Sequence, residues 1–257
     1  MSVQLHFETF GAGKPVIILH GLFGSARNWR SIAKRLASEY QVFTVDLRNH
    51  GESDHADSMY YMEMVEDIRQ FLADRQLDQA SLIGHSLGGK IAMAFALEYQ
   101  ERIEKLIVMD IAPVQYQHDF EPLVDAMLAL DLDSISSRNQ ANDILKADIE
   151  DGGLRLFLLQ NLVHNSQTFQ WRINLPAIKA ALPDISAFPT FTWSSRHSGP
   201  TLFLGGNMSD YIKPEYHEEI TSFFPMAEIS SISDANHWLH ADQPKRVVEK
   251  ISRFLAE

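Results

Sequence analysis

The chain has 257 residues, 45% of them hydrophobic, which is enough to bury a large core, and an α/β chain of this length commonly forms one domain. Lys and Arg number 22 against 34 Asp and Glu, so the net charge of -12 repels nucleic acid and anionic membrane over the whole surface. With no cysteine there can be neither a disulfide nor a thiol nucleophile, and any nucleophile must be an oxygen or a nitrogen. The stretch Met1-Ser2-Val3-Gln4-Leu5-His6-Phe7 has neither the basic nor the apolar part of a signal peptide, and no apolar run approaches bilayer length. A cytoplasmic protein without a membrane anchor is expected.

Strand and helix signals alternate from the start. Gln4 to Thr9 alternates like an edge strand, and Gly11-Ala12-Gly13-Lys14-Pro15 turns the chain into the apolar run Val16 to Leu19. Ser31 to Tyr40 reads as a helix, Val42 to Val45 as a buried strand, and Met62 to Leu72 as a helix with Met64, Val65, Ile68, Phe71 and Leu72 on one face. A strand from Ala80 to Ile83 leads into a helix from Leu87 to Tyr99, and a strand from Lys105 to Met109 ends at Asp110. Near-continuous apolar strands between helices predict a doubly wound, mostly parallel sheet covered on both faces, with ligands held at the carboxyl ends of the strands.

After Pro113 the rhythm breaks, and no strand of comparable quality comes before Thr201 to Leu204. Leu123 to Leu130, Gln140 to Ile149, Leu154 to Val163 and Leu175 to Leu182 carry apolar residues at helical spacing, with breaks at Asp151-Gly152-Gly153, His164-Asn165-Ser166 and Pro183-Asp184. A structureless loop of that length is improbable, so the expectation is one domain with its core in residues 1–113 and 198–257 and a helical cap inserted at 114–197. The core pattern resumes with a helix from Glu215 to Phe224, a strand from Ala227 to Ile232 and a helix from Lys245 to Leu255.

The segment Gly84-His85-Ser86-Leu87-Gly88 joins a strand to a helix and has the form of a nucleophile elbow, a strained turn that exposes a serine hydroxyl. Serine is a poor nucleophile at neutral pH and needs a positioned base. His237, in the loop between the last strand and the last helix, would reach the same sheet edge, whereas His240 would face the following helix. A carboxylate must then orient the imidazole, and two aspartates qualify. Asp110 ends the strand beside the elbow strand. Asp210 lies in the next strand's loop, where most hydrolases with the elbow fold that this pattern resembles place the acid, usually three residues before an apolar anchor; counted back from Ile212 that position is Ser209, so Asp110 is favoured and Asp210 kept as the alternative. Acyl transfer also needs amides aimed at an oxyanion, which Leu22 in His20-Gly21-Leu22-Phe23-Gly24 and Leu87 in the elbow can supply from the main chain.

These elements, together with Asp46-Leu47-Arg48-Asn49-His50-Gly51-Glu52-Ser53, resemble the α/β-hydrolase superfamily over essentially the whole length. Four details resemble the small bacterial YbfF-type acyl esterases, whose relatives include a mitochondrial hydrolase: Arg48-Asn49-His50-Gly51, Asp110-Ile111-Ala112-Pro113-Val114, Trp171-Arg172-Ile173-Asn174 and Asn236-His237-Trp238-Leu239-His240-Ala241. The resemblance implies that the aspartate of the Asp-Ile-Ala-Pro segment is the triad acid. This chain departs from the group in one loop, where Met208 interrupts the usual Gly-Gly-Asn-Ser.

The expectation is therefore a hydrolase of carboxylic esters or thioesters with small to medium acyl groups, acting through an acyl-enzyme, with Ser86, His237 and Asp110 as its triad. Phe23 and Trp238 are candidates for an apolar acyl wall, and Trp171, Arg172 and Asn174 for the mouth of the site. Arg27, Arg48 and Arg172 are better explained by surface or intramolecular pairing than by an anionic substrate, and His50 by structural hydrogen bonding. No His, Asp and Glu cluster has metal spacing, so neither metal nor cofactor is expected. The alternatives are a carbon–carbon bond hydrolase with the same triad and a ligand-binding relative that has lost turnover.

Overall fold

The fold was analysed in a computed structural model that describes residues 2–117, 119–191 and 195–257. The first half holds β1 (Phe7–Phe10), β2 (Lys14–Leu19), α1 (Arg30–Leu36), β3 (Tyr40–Val45), α2 (Tyr61–Asp74), β4 (Ala80–His85), α3 (Leu87–Glu98) and β5 (Ile103–Met109). Then follow α4 (Glu121–Ala129), α5 (Arg138–Leu145), α6 (Gly152–Leu158), β6 (Leu162–His164), β7 (Phe169–Trp171) and α7 (Leu175–Ser186). The chain closes with β8 (Thr201–Gly206), α8 (His217–Phe223), β9 (Ala227–Ile232), α9 (Leu239–Asp242) and α10 (Pro244–Ala256).

A seven-stranded sheet runs in the order β1-β3-β2-β4-β5-β8-β9, antiparallel only between β1 and β3. Its central strands have two buried faces. Ile17 and Leu19 of β2, Leu82 of β4 and Leu106 and Val108 of β5 pack toward α2 and α3, while Val16, Ile18, Ile83, Ile107 and Met109 pack toward α1 and α10. That is why the strands read as unbroken apolar runs. Helix α10 buries Val247, Ile251, Phe254 and Leu255, at the spacing that places one stripe on the sheet. Helix α3 is buried along nearly its whole length, with the sheet on one side and α2 on the other.

The loop after β3 is tied to α2 by a buried ion pair. Arg48, 1% exposed, donates from Nε and Nη2 to the two carboxylate oxygens of Asp67 at 2.6 and 2.9 Å, and from Nη1 to Glu63 at 2.9 Å. Arg48 is thus an internal strut, whereas Arg27 pairs with Glu52 on the surface.

Between β5 and β8 the secondary structure is only partly helical. The helix expected from Leu154 to Val163 ends at Leu158, passes through a tight turn at 159–161, and becomes β6, paired antiparallel with β7 through Leu162–Trp171 and His164–Phe169. Asn161 stops the helix, because its amide donates to the carbonyls of Phe23 and Leu158 and ties the turn to the core. The apolar residues after it serve a short hairpin, for which spacing alone gives no warning. Pro183-Asp184, expected as a helix boundary, lies inside α7. Proline there falls in the last turn, where the carbonyl ends of the helix find donors outside it: Tyr61 Oη donates to Ile185 O at 2.8 Å and Lys90 Nζ to Ser186 O at 2.8 Å.

Asp67→Ala should lower stability by about 3 kcal/mol, because it leaves the buried Arg48 guanidinium with Glu63 as its remaining carboxylate. Urea unfolding measures it, and a loss below about 1 kcal/mol would contradict the strut.

Candidate active site

Strand register brings the site together. Leu19 lies beside Gly84, Gly84 beside Val108, and Met109 beside Leu204, so β2, β4, β5 and β8 end at one level. Ser86 follows β4 with φ 51° and ψ -118°, a conformation that costs a non-glycine residue energy and that turns the chain sharply into α3. The turn needs bare backbone on both sides: a Cβ on Gly84 would sit 2.2 Å from Gly88 O, and one on Gly88 would sit 2.4 Å from Leu19 O. Ser86 is fixed by its amide, which donates to Met109 O at 3.0 Å, and by its carbonyl, which accepts from Lys90 N. Among the described residues, neither Leu22 N nor Leu87 N has a protein acceptor, and both residues line the cavity at Ser86.

Asp110, next door on β5, also has positive φ, at 50°, and is fully buried. Its Oδ2 lies 2.8 Å from His237 Nδ1 and accepts from Ser209 Oγ, while its Oδ1 accepts from Gly206 N at 2.9 Å. Ser209 is the residue on which the count back from Ile212 falls, and its hydroxyl approaches the carboxylate from the loop after β8. Asp210, the alternative acid, points away: its side chain is 89% exposed and its ion-pair partner is Lys213 at 3.6 Å. With Nδ1 of His237 committed to Asp110, Nε2 is left for the cavity that Ser86 also lines. No hydrogen bond joins Ser86 Oγ to His237 among the described residues. Such contacts are often long without substrate and tighten on binding.

The surrounding histidines hold backbone. His20 Nδ1 bonds to Gly21 O at 2.8 Å and its Nε2 accepts from Leu47 N; His50 Nδ1 bonds to Arg48 O at 2.9 Å and its Nε2 accepts from Phe23 N. His85 Nε2 donates to the carbonyl of His237 at 2.8 Å, so the elbow itself holds the His237 loop. All three rings are buried, and burial lowers their pKa values, to about 3 for His50. His240 stacks on Trp29 with centroids 4.3 Å apart and takes no part in the Asp110 contact. Tyr211, which the sequence reading missed, stacks on His237 at 4.0 Å. Burial and the nearby Asp110 carboxylate push its phenol up to about 12.

A cavity of about 240 Å³ opens at Ser86 and His237, walled by Phe23, Trp238, Phe120, Leu123, Leu154 and Phe157. The last four come from the segment between β5 and β8, where apolar residues at helical spacing give no sign of which face meets a ligand. Two expected mouth residues are elsewhere. Trp171 lies on β7 with its indole donating to Met127 O at 3.0 Å, and Arg172 offers its carbonyl to His55. Neither lines the cavity, because the hairpin turns this strand onto α4 and the β3 loop. Asn174 caps α7 and bonds to Asn49. Among the described residues no group of three His, Asp or Glu side chains is arranged to hold a metal ion, and no helix is long and apolar enough to cross a membrane.

A serine on a strained elbow beside a buried Asp–His pair, at the carboxyl edge of such a sheet, defines a class. By a match to the family model for the alpha/beta hydrolase fold over residues 14–244, the chain belongs to the α/β-hydrolase family, alongside its YbfF-type esterases. It is 39% identical to the sn-1-specific diacylglycerol lipase ABHD11 of Danio rerio over 98% of this chain and 83% of that protein. It is 35% identical to esterase YbfF of Escherichia coli over 94% of this chain and 92% of that protein. Among solved structures, a marine microorganism esterase superposes with a TM-score of 0.95 at 38% identity, covering 98% of this chain and all of that one.

The buried histidines set an acid limit. Their folded pKa values lie below the unfolded value near 6.5, so below that pH the unfolded chain takes up protons that the native state refuses. Their stabilisation is complete above about pH 6.5 and is lost as pH falls toward the folded values; His50 alone should contribute a loss of about 1.5 kcal/mol between pH 6.5 and 5. Urea midpoints across this range should fall, and a flat profile would mean that the rings are protonated in the native state.

Proposed function

We propose that the protein is a serine hydrolase of carboxylic esters, with thioesters open to the same chemistry, acting through an acyl-enzyme. The observation that carries this reading is the 2.8 Å contact between buried Asp110 and His237 Nδ1, with His237 and Ser86 lining one cavity. Ser86 Oγ attacks the acyl carbon while His237 Nε2 takes its proton, and Asp110 fixes the tautomer and balances the imidazolium. The amides of Leu22 and Leu87 receive the oxyanion, a role that their lack of protein acceptors supports. His237 returns the proton to the leaving alcohol or thiol, and water, activated by the same imidazole, releases the acid. Relatives named as esterases and diacylglycerol lipases support an ester as the bond cleaved. The apolar walls Phe23, Phe157 and Trp238 favour uncharged small-molecule substrates.

Ser86→Ala and His237→Ala should each lower kcat by about a millionfold, the size expected when a triad member is lost, while leaving thermal unfolding near that of the wild type. A fluorophosphonate probe should label Ser86 in the wild type and nothing in Ser86→Ala. Ester hydrolysis above a few per cent in folded Ser86→Ala would refute the mechanism.

Asp110→Asn should lower kcat roughly ten-thousandfold through the wrong histidine tautomer. Asp210→Asn, at an exposed site, should stay within a few-fold, and a reversed order in ester assays would move the acid to Asp210.

A further inference from the structure

Two cavities meet at Ser86. The larger, described above, is lined by His237; the smaller, of about 40 Å³, is not, and lies instead between Ser86, Leu22 and Leu87 on one side and Lys90 with the end of α7 on the other. In the proposed reaction the leaving group must sit where His237 can protonate it, and the acyl chain departs from the other side of the tetrahedral centre, past the oxyanion amides. The smaller cavity therefore faces the acyl chain. At roughly 12 Å³ for each water-sized group it holds on the order of three non-hydrogen atoms.

The far wall is built around an unusual residue. Lys90 lies one turn beyond Ser86 on α3, is 2% exposed, and has no carboxylate within ion-pair distance among the described residues. Its Nζ instead reaches three carbonyls at the end of α7, Ser186 O at 2.8 Å, Ala187 O at 2.6 Å and, more weakly, Ile185 O at 3.5 Å, while burial pulls its pKa down to about 7. These are the carbonyls that a helix end leaves without partners, and the negative end of the helix favours a cation there. The lysine thus ties the helix that carries the nucleophile to a helix of the inserted segment, across the end of the smaller cavity. A long flexible amine thus occupies a site where an apolar side chain would avoid the cost of burying a polar or charged group.

We propose that the smaller cavity is the acyl compartment and that Lys90, by pinning the carbonyl end of α7 across it, is the positioning residue that limits acyl length. This rests on Ser86 being the nucleophile. It makes specificity unequal on the two sides of the ester: short acyl groups, up to about butyryl, with a wider choice of alcohol in the larger cavity.

The test uses p-nitrophenyl esters from acetate to decanoate, alkyl acetates of growing alcohol length, and Lys90→Met, which keeps length but removes the donors. In the wild type, kcat/KM should rise about fourfold per methylene while the cavity fills and fall at least tenfold by octanoate, with no such break along the alcohol series. In Lys90→Met the break should move outward by two or more carbons, through a fall in KM for the long esters, with the ranking of alcohols kept. A break at the same length in folded Lys90→Met, or an equal loss on every ester, would overturn the role of Lys90. If Lys90→Met does not fold, Ile111→Ala, which enlarges the same cavity without touching α7, decides whether this is the acyl compartment: an unmoved break overturns it. A Ser86→Ala protein that still hydrolyses the series refutes the serine reading itself, a result separate from any change in acyl length.

Discussion

A fully buried carboxylate that pairs with no Lys or Arg depends on its hydrogen bonds, and among the described residues Asp110 is such a group, with His237 as its ion-pair partner. Its donors come from three separate places: the end of β8 through Gly206, the following loop through Ser209, and the loop after β9 through His237. Losing any of them would leave a desolvated charge short of a partner, so the carboxyl edge of the sheet has one satisfactory arrangement. The same group that would orient the base thereby fixes the loops around it. The strained backbone of Ser86 and Asp110 is held by this network and by sheet hydrogen bonds from their own amides to β5 and β8.

The histidine content has a comparable logic. His20, His50 and His85 are buried near the site, where burial disfavours their charged form, and each binds a backbone group of a loop that frames the cavity. An imidazole suits this because it offers a donor and an acceptor on opposite sides of one rigid ring, and it bridges chain segments that a hydroxyl could not reach. His85 is the clearest case, since it occupies the variable position of the elbow and holds the main chain of His237.

Much of this was legible in the sequence where local constraints are strict. The elbow glycines and the apolar strands buried on two faces follow from spacing, as does the place of Asp110 at the end of the strand beside the elbow, and the strand reading from Ala227 to Ile232 matches β9 residue for residue. What escaped depends on long-range packing. Leu162 to His164 carries the same apolar spacing whether it extends a helix or forms a strand, and only its pairing with Phe169 to Trp171 decides. Trp171 was drawn toward the cavity by its residue type, yet the hairpin turns its indole to Met127. Tyr211 has no local signature that sets it over His237, because its neighbour lies on another loop.

The contact between Asp110 and His237 spans 127 residues, and Gly206 meets Asp110 across 96. Contacts so distant in sequence close late in folding, after the entropy of long loops has been paid for by the sheet. During synthesis the ribosome releases Ser86 and its elbow well before β8, β9 and the histidine loop. Under the proposed mechanism, a partly made chain therefore carries Ser86 without the imidazole of His237, and its hydroxyl would be no more reactive than any other. Chemical competence would in this sense be a proofreading mark, one that arises only once the last strand has joined the sheet.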